Sequence, residues 1–211
     1  MLLYWSGRTA LQNHNLAVTT EPAEAEALRA NLYRLLARLL ARPADEALLA
    51  MLQGLSGDDS PLGRGIGDLA GEARAISLAA AREEYQELFI GVGRGELVPY
   101  GSYYLTGFLN EKPLARLRSD MVPLGIARSE DSRDPEDHAG ALMEMMAGLI
   151  EGSFGQIQPL AVQKDFFRKH VGSWAGHFFA DLETNRTARL YRPVGTIGRQ
   201  FMAIEESGFD M

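Results

Sequence analysis

An all-α fold, built as a single multi-helix bundle, is what this sequence predicts, and two observations carry that prediction. Apolar residues recur at three- and four-residue spacing along nearly the whole chain, which gathers them on one face of successive helices. No segment alternates apolar and polar residues as a half-buried strand would, and no internal repeat is present. At 211 residues, 46% hydrophobic and 23% charged, residues 1–211 suffice for one domain with its own core. Residues 1–20 read as an N-terminal extension.

The elements follow in order. Pro22 to Ala41 forms the first helix, with Pro22 suited to the opening turn and Leu28, Leu32, Leu35, Leu36 and Leu39 on one face. A shorter helix, Ala44 to Leu52, ends in the loop QGLSGDDSP. Leu62 to Phe89 reads as one long alanine-rich segment whose stripe runs from Ile66 through Leu69, Ala73 and Ile76 to Tyr85, Leu88 and Phe89. The stretch GVGRGELVPYGS, Gly91–Ser102, breaks the pattern and is a hinge candidate. Short helices are expected at Tyr103–Leu109 and Leu114–Met121, then a helix over Pro135–Ile150. Leu160–Leu182 carries Phe166, Phe167, Val171, Trp174 and Phe178, and Ala188–Glu205 closes the chain, with Pro193 bending that helix or marking its start.

Composition excludes several kinds of function. With no cysteine, the chain cannot form disulfides or supply a thiol nucleophile or cysteine-based metal ligands. A formal charge of −7 disfavours nucleic acid and anionic membranes as partners. The N-terminal stretch MLLYWSGRTALQ lacks a basic region ahead of a long apolar core, no run reaches transmembrane length, and no Arg-Arg pair occurs. The expectation is a cytoplasmic protein without an export signal of its own.

Chemical motifs are sparse. GVGRGE has glycines at the first and third positions of a dinucleotide fingerprint, but Glu96 stands at the sixth and a helix precedes it, so a connector is expected. None of His14, His138, His170 and His177 has a glutamate three residues earlier, as a helical metal site would require, and no metal or other cofactor is expected. There is no G-x-S-x-G elbow. The stretch DPEDHAGALMEMM joins an acidic cluster to a helix. Asp134 can serve as N-cap, Pro135 as first helical residue and Asp137 as the acid completing a capping box. His138 begins the apolar stripe, four residues before Leu142.

EEYQELFIG (Glu83–Gly91) with the loop VPYGSYY, then DPEDH at a helix head, then FFRKHVGSWAGHFFADLE, together resemble the TorD/DmsD/NarJ family of redox-enzyme maturation chaperones. The likeness spans Pro22–Glu205. It implies an all-helical, non-enzymatic cytoplasmic chaperone that binds the twin-arginine signal peptide and apo-form of a molybdenum oxidoreductase until its cofactor is inserted. Carried over residue by residue, it implicates Tyr85, Leu88 and Phe89 from the first signature and Pro135, Asp137 and His138 from the second in peptide binding. It allows a monomer or a helix-swapped homodimer, and leaves open whether the client reduces N- or S-oxides, reduces nitrate or oxidises formate.

Physical chemistry is compatible with that implication. A peptide with two cations and an apolar run fits a trough with an apolar floor, here Leu88, Phe89, Leu142, Met145 and Met146, and acids at its rim. Burying about 500 Å² of apolar surface contributes roughly 12 kcal/mol gross, much of it offset by ordering, so affinity on the order of micromolar is expected. Among the apolar motif residues, Phe89 is expected to be the one used purely for packing. The alternative reading is a small helical hydrolase or nucleotide-binding enzyme with Asp137 and His138 as an acid–base pair.

Overall fold

The computed structural model describes residues 20–91, 95–128 and 134–210. Among these, ten α-helices follow one another: α1 (Thr20–Ala41), α2 (Glu46–Gln53), α3 (Pro61–Ala75), α4 (Leu78–Tyr85), α5 (Gly101–Thr106), α6 (Lys112–Met121), α7 (Ala139–Glu151), α8 (Leu160–His170), α9 (Ala175–Thr184) and α10 (Tyr191–Asp210). A π-helical turn, Gln86–Ile90, extends α4, and a 3₁₀ turn, Val122–Leu124, extends α6. The expected extension over residues 1–20, and His14 within it, falls almost wholly outside the described residues.

The helix with the most uniformly apolar sequence, α7, lies in the interior. Every residue from Ala139 to Ile150 except Ala141 and Glu144 is buried. An all-round apolar helix of this kind needs neighbours on all sides. α1 packs along it most extensively, and α8 joins on another side. A second layer is built on α10, which lies between α9 and α3, with α2 against α3. α5 and α6 pack together, and α6 touches α8. No described helix is long and apolar enough to cross a membrane.

The structure departs from the sequence expectations at four places. The Leu62–Phe89 segment is not continuous: Ile76 is extended (φ −104°, ψ 143°), and the Ser77 side chain accepts from Ala80 N–H to cap a new helix. Leu160–Leu182 is likewise two helices, separated by the turn Val171–Trp174. The helix expected over Tyr103–Leu109 sits earlier, at Gly101–Thr106. The helix expected from Pro135 starts only at Ala139. Pro193 falls in the first turn of α10, where a missing N–H leaves no bond unmade, so it marks the start of that helix.

Candidate functional site

Two loops that are distant in sequence meet at the head of α7. Tyr100 and His138 form an isolated antiparallel bridge. Ala139 N–H donates to Pro99 O at 2.8 Å and Gly101 N–H to Asp137 O at 2.9 Å. These backbone bonds hold Pro135–His138 in extended and turn geometry, which is why α7 does not begin there. The N-cap of α7 is therefore His138 in place of the expected Asp134: its Nδ1 accepts from Gly140 N–H at 3.1 Å. An accepting Nδ1 carries no proton, so this capping role requires the neutral ring. Burial lowers the His138 pKa, and the nearby Asp134 and Asp137 carboxylates offset this only in part.

Asp137 caps a different helix. Its Oδ2 accepts from Ser102 N–H at 2.7 Å, in the first turn of α5, where Tyr100 makes no side-chain cap of its own. The carboxylate is only 3% exposed, and its Oδ1 has no hydrogen-bond partner among the described residues; neither has the buried Ser102 Oγ. A half-paired carboxylate at such burial is costly unless something else completes it.

Beside Asp137 lies a cavity of about 460 Å³ between α5, α6, α7 and α8. Leu105, Leu117, Leu142 and Trp174 give it apolar walls, and Asp120 and Asp137 are its acids. His170 Nε2 lies 2.8 Å from Asp120 Oδ2, and Trp174 Nε1–H donates to His170 O at 2.8 Å. Gly101 lets the α5 backbone sit against the indole, since a Cβ there would lie 3.0 Å from Trp174 Nε1. The cavity also has cations on its wall, Arg116 and Lys169. Lys169 is already bridged to Asp165 at 2.7 Å. Nearby Arg118 is held by Glu136 at 2.8 Å. Burial is the largest influence on Glu136 and opposes its charge, but the Arg118 hydrogen bond, a backbone hydrogen bond and the Arg118 and Arg128 charges together outweigh it and keep the pKa below the usual carboxylate value.

The other signature contributes differently. Tyr85 is buried, and its hydroxyl donates to Leu40 O at 2.9 Å, satisfying one of the last carbonyls of α1. Its ring meets Phe89 edge-on at 5.0 Å, and Tyr191 packs on both. Leu88 is fully buried in the π-helical turn. Phe89 is only partly buried, so the most open of the three apolar residues is the one expected to be pure packing. Burial first, and then the Asp134 charge, raises the pKa of both Tyr85 and Tyr100. The Tyr100 ring stacks edge-on against His138 at 5.1 Å, and its hydroxyl donates to Asp134 at 2.9 Å. Tyr85 and Tyr100 both feel the Asp134 charge and Tyr100 packs on His138, but of the six implicated residues only Asp137 lines the cavity. Met145 and Met146, expected on a groove floor, are buried in the core.

Residues of this constellation that the sequence did not single out are Asp120 and Trp174, which line the cavity, and Ser102, whose N–H binds Asp137. Glu84 was missed as well: its buried carboxylate accepts from the N–H groups of Arg189, Leu190 and Tyr191 at 2.8 to 3.0 Å and so caps α10 from outside. One signal was available for Glu84, an acid on the apolar stripe four residues before Leu88. His170 is buried, its ring against that of Phe166. Among the described residues no three His, Asp or Glu side chains gather as a metal site.

Residues 21–180 match the family described as "Nitrate reductase delta subunit". The chain belongs to that family. Over 117 residues it is 31% identical to a probable Tat proofreading chaperone, DmsD, of Haemophilus influenzae, covering 54% of this chain and 55% of that protein. Over 110 residues it is 30% identical to the chaperone protein TorD of Vibrio cholerae, covering 49% of each. The chain spans about half the length of these curated relatives. A crystal structure from Archaeoglobus fulgidus, described as a redox enzyme maturation protein, shares the fold with a TM-score of 0.56 at 21% identity, over 90% of this chain and 99% of that one. Membership of the delta-subunit family agrees with the resemblance drawn from EEYQELFIG and DPEDH.

Proposed function

We propose that this chain is a cytoplasmic, non-enzymatic chaperone of a molybdenum-cofactor oxidoreductase. It binds the twin-arginine signal peptide and the apo-form of its client, and it delays export until the cofactor is inserted. The observation that carries this reading is the Asp137 carboxylate, buried at a cavity wall with one oxygen bonded to Ser102 and the other unpaired. A guanidinium entering the cavity would supply the missing donors to Oδ1 once the Asp137 side chain turns that buried oxygen toward it, and the apolar walls suit the residues beside it. Family membership and the chaperone names of the relatives point the same way.

The six implicated residues divide by role under this reading. Asp137 touches the peptide. Pro135 and His138 fix the loop that presents Asp137. Tyr85 and Leu88 hold the neighbouring helix ends in register, and Phe89, being partly open, is the apolar member a peptide can reach. The alternative of Asp137 and His138 as an acid–base pair is disfavoured, because both are committed to backbone N–H groups, of Ser102 and Gly140. Titration calorimetry with a synthetic peptide carrying paired arginines and an apolar run tests the proposal. A dissociation constant on the order of micromolar is expected, weakened when glutamines replace the arginines. Absence of binding by either peptide would remove the chaperone reading.

A further inference from the structure

Among the described residues, an apolar tip between α5 and α6 is left without cover. Leu105, Phe108 and Leu109 are 44%, 70% and 46% exposed within five consecutive residues. The turn that carries them is braced. Thr106 Oγ1 donates to Ser102 O at 2.7 Å and accepts from Phe108 N–H at 3.2 Å. Gly107 ends α5 in the left-handed region (φ +82°), its N–H on Tyr103 O at 2.7 Å, a conformation that a side chain would strain. A held turn that keeps a phenylalanine in water forgoes burial the rest of the chain achieves, and such patches mark interaction surfaces.

The tip adjoins the cavity. Leu105 lines both, and Leu109 lies four residues on, within roughly 14 Å along the chain. Ser102, whose N–H binds Asp137, sits in the same short helix as Leu105. A buried, half-paired carboxylate followed by exposed apolar side chains calls for an occupant that is cationic first and apolar next.

We propose that Leu105, Phe108 and Leu109 form the dock for the apolar stretch that follows the cation held at Asp137, so that cavity and tip read one peptide in series. This inference rests on the chaperone reading and extends it to a surface outside both signatures. The tip is exposed, so serine can replace Phe108 and Leu109 with little effect on packing.

The test compares the full chain with the double variant F108S/L109S, folding of both being checked by circular dichroism. Two peptides are titrated, each with paired arginines, one followed by a leucine–alanine run and the other by a glycine–serine run. The native chain should prefer the apolar peptide by about tenfold or more. The variant should lose that preference while keeping its affinity for the glycine–serine peptide. If the variant keeps the full preference, the dock is elsewhere and the inference fails, although the chaperone reading stands. If peptide binding is unchanged and sedimentation shows a dimer becoming a monomer, the tip is a self-interface and the inference also fails. If the native chain binds neither peptide, both readings fall together.

Discussion

At His138 and His170 the ring is buried in a setting that favours the neutral form. His138 must accept at Nδ1 to cap α7, while His170 faces the Asp120 carboxylate. Burial lowers both pKa values, with the neighbouring carboxylates offsetting part of the effect. The unfolded chain therefore takes up protons near the ordinary histidine pKa, about 6.5, that the folded chain refuses. Stability from this source is complete above that value and declines as pH falls through it, by at most about 1.4 kcal/mol per pH unit for each ring. Glu144 pulls the other way, because burial raises its pKa. A histidine-specific comparison separates the two. H138N keeps a side-chain acceptor for Gly140 N–H but cannot titrate. Between pH 7.5 and 5, the urea midpoint of the native chain should fall more than that of H138N. Parallel profiles would mean that His138 carries its proton in the fold.

Helix ends, more than helix bodies, organise this molecule, and several are completed by side chains from elsewhere. Asp137 caps α5, Tyr85 and Tyr191 bond the Leu40 and Leu39 carbonyls near the end of α1, and Glu84 caps α10. Replacing Glu84 by alanine would leave three backbone N–H groups, two of them in a buried setting, without their acceptor. The expected loss is about 2–3 kcal/mol, more than the roughly 1 kcal/mol of an ordinary cap, read from urea unfolding. A loss under about 0.5 kcal/mol would show that water replaces the carboxylate. The same reliance on distant partners explains what the sequence could disclose. The helices were legible because their apolar stripes are local and periodic. The breaks at Ile76 and Val171–Trp174 were not, since the stripe continues across them while the axis turns. DPEDH resembles a capping box, yet bonds to Pro99 and Gly101 pull it out of the helix. The site joins Ser102 to Asp137 at the cavity wall and Asp120 to His170 within it, pairs 35 and 50 residues apart, and no spacing rule reaches across such distances.

The described residues together set one buried carboxylate oxygen without a hydrogen-bond partner near an apolar tip, on a chain of net charge −7. Under the proposed function, that overall field would draw a basic segment in, and the cavity would fix where its cation rests. Much of the second signature serves to hold that oxygen in place, whereas the first stabilises the neighbouring helix ends. The central claim is thus a pairwise one, between Asp137 and a guanidinium. A double-mutant cycle tests it directly, using the native chain and D137N against the paired-arginine peptide and the same peptide with neutral citrulline in place of arginine. In the variant, the asparagine oxygen can still accept from Ser102 N–H, so helicity should be unchanged. The account predicts that D137N weakens binding of the arginine peptide about tenfold or more and leaves the citrulline peptide nearly unaffected, a coupling of at least about 1.4 kcal/mol. Equal effects on the two peptides, and so no coupling, would contradict it.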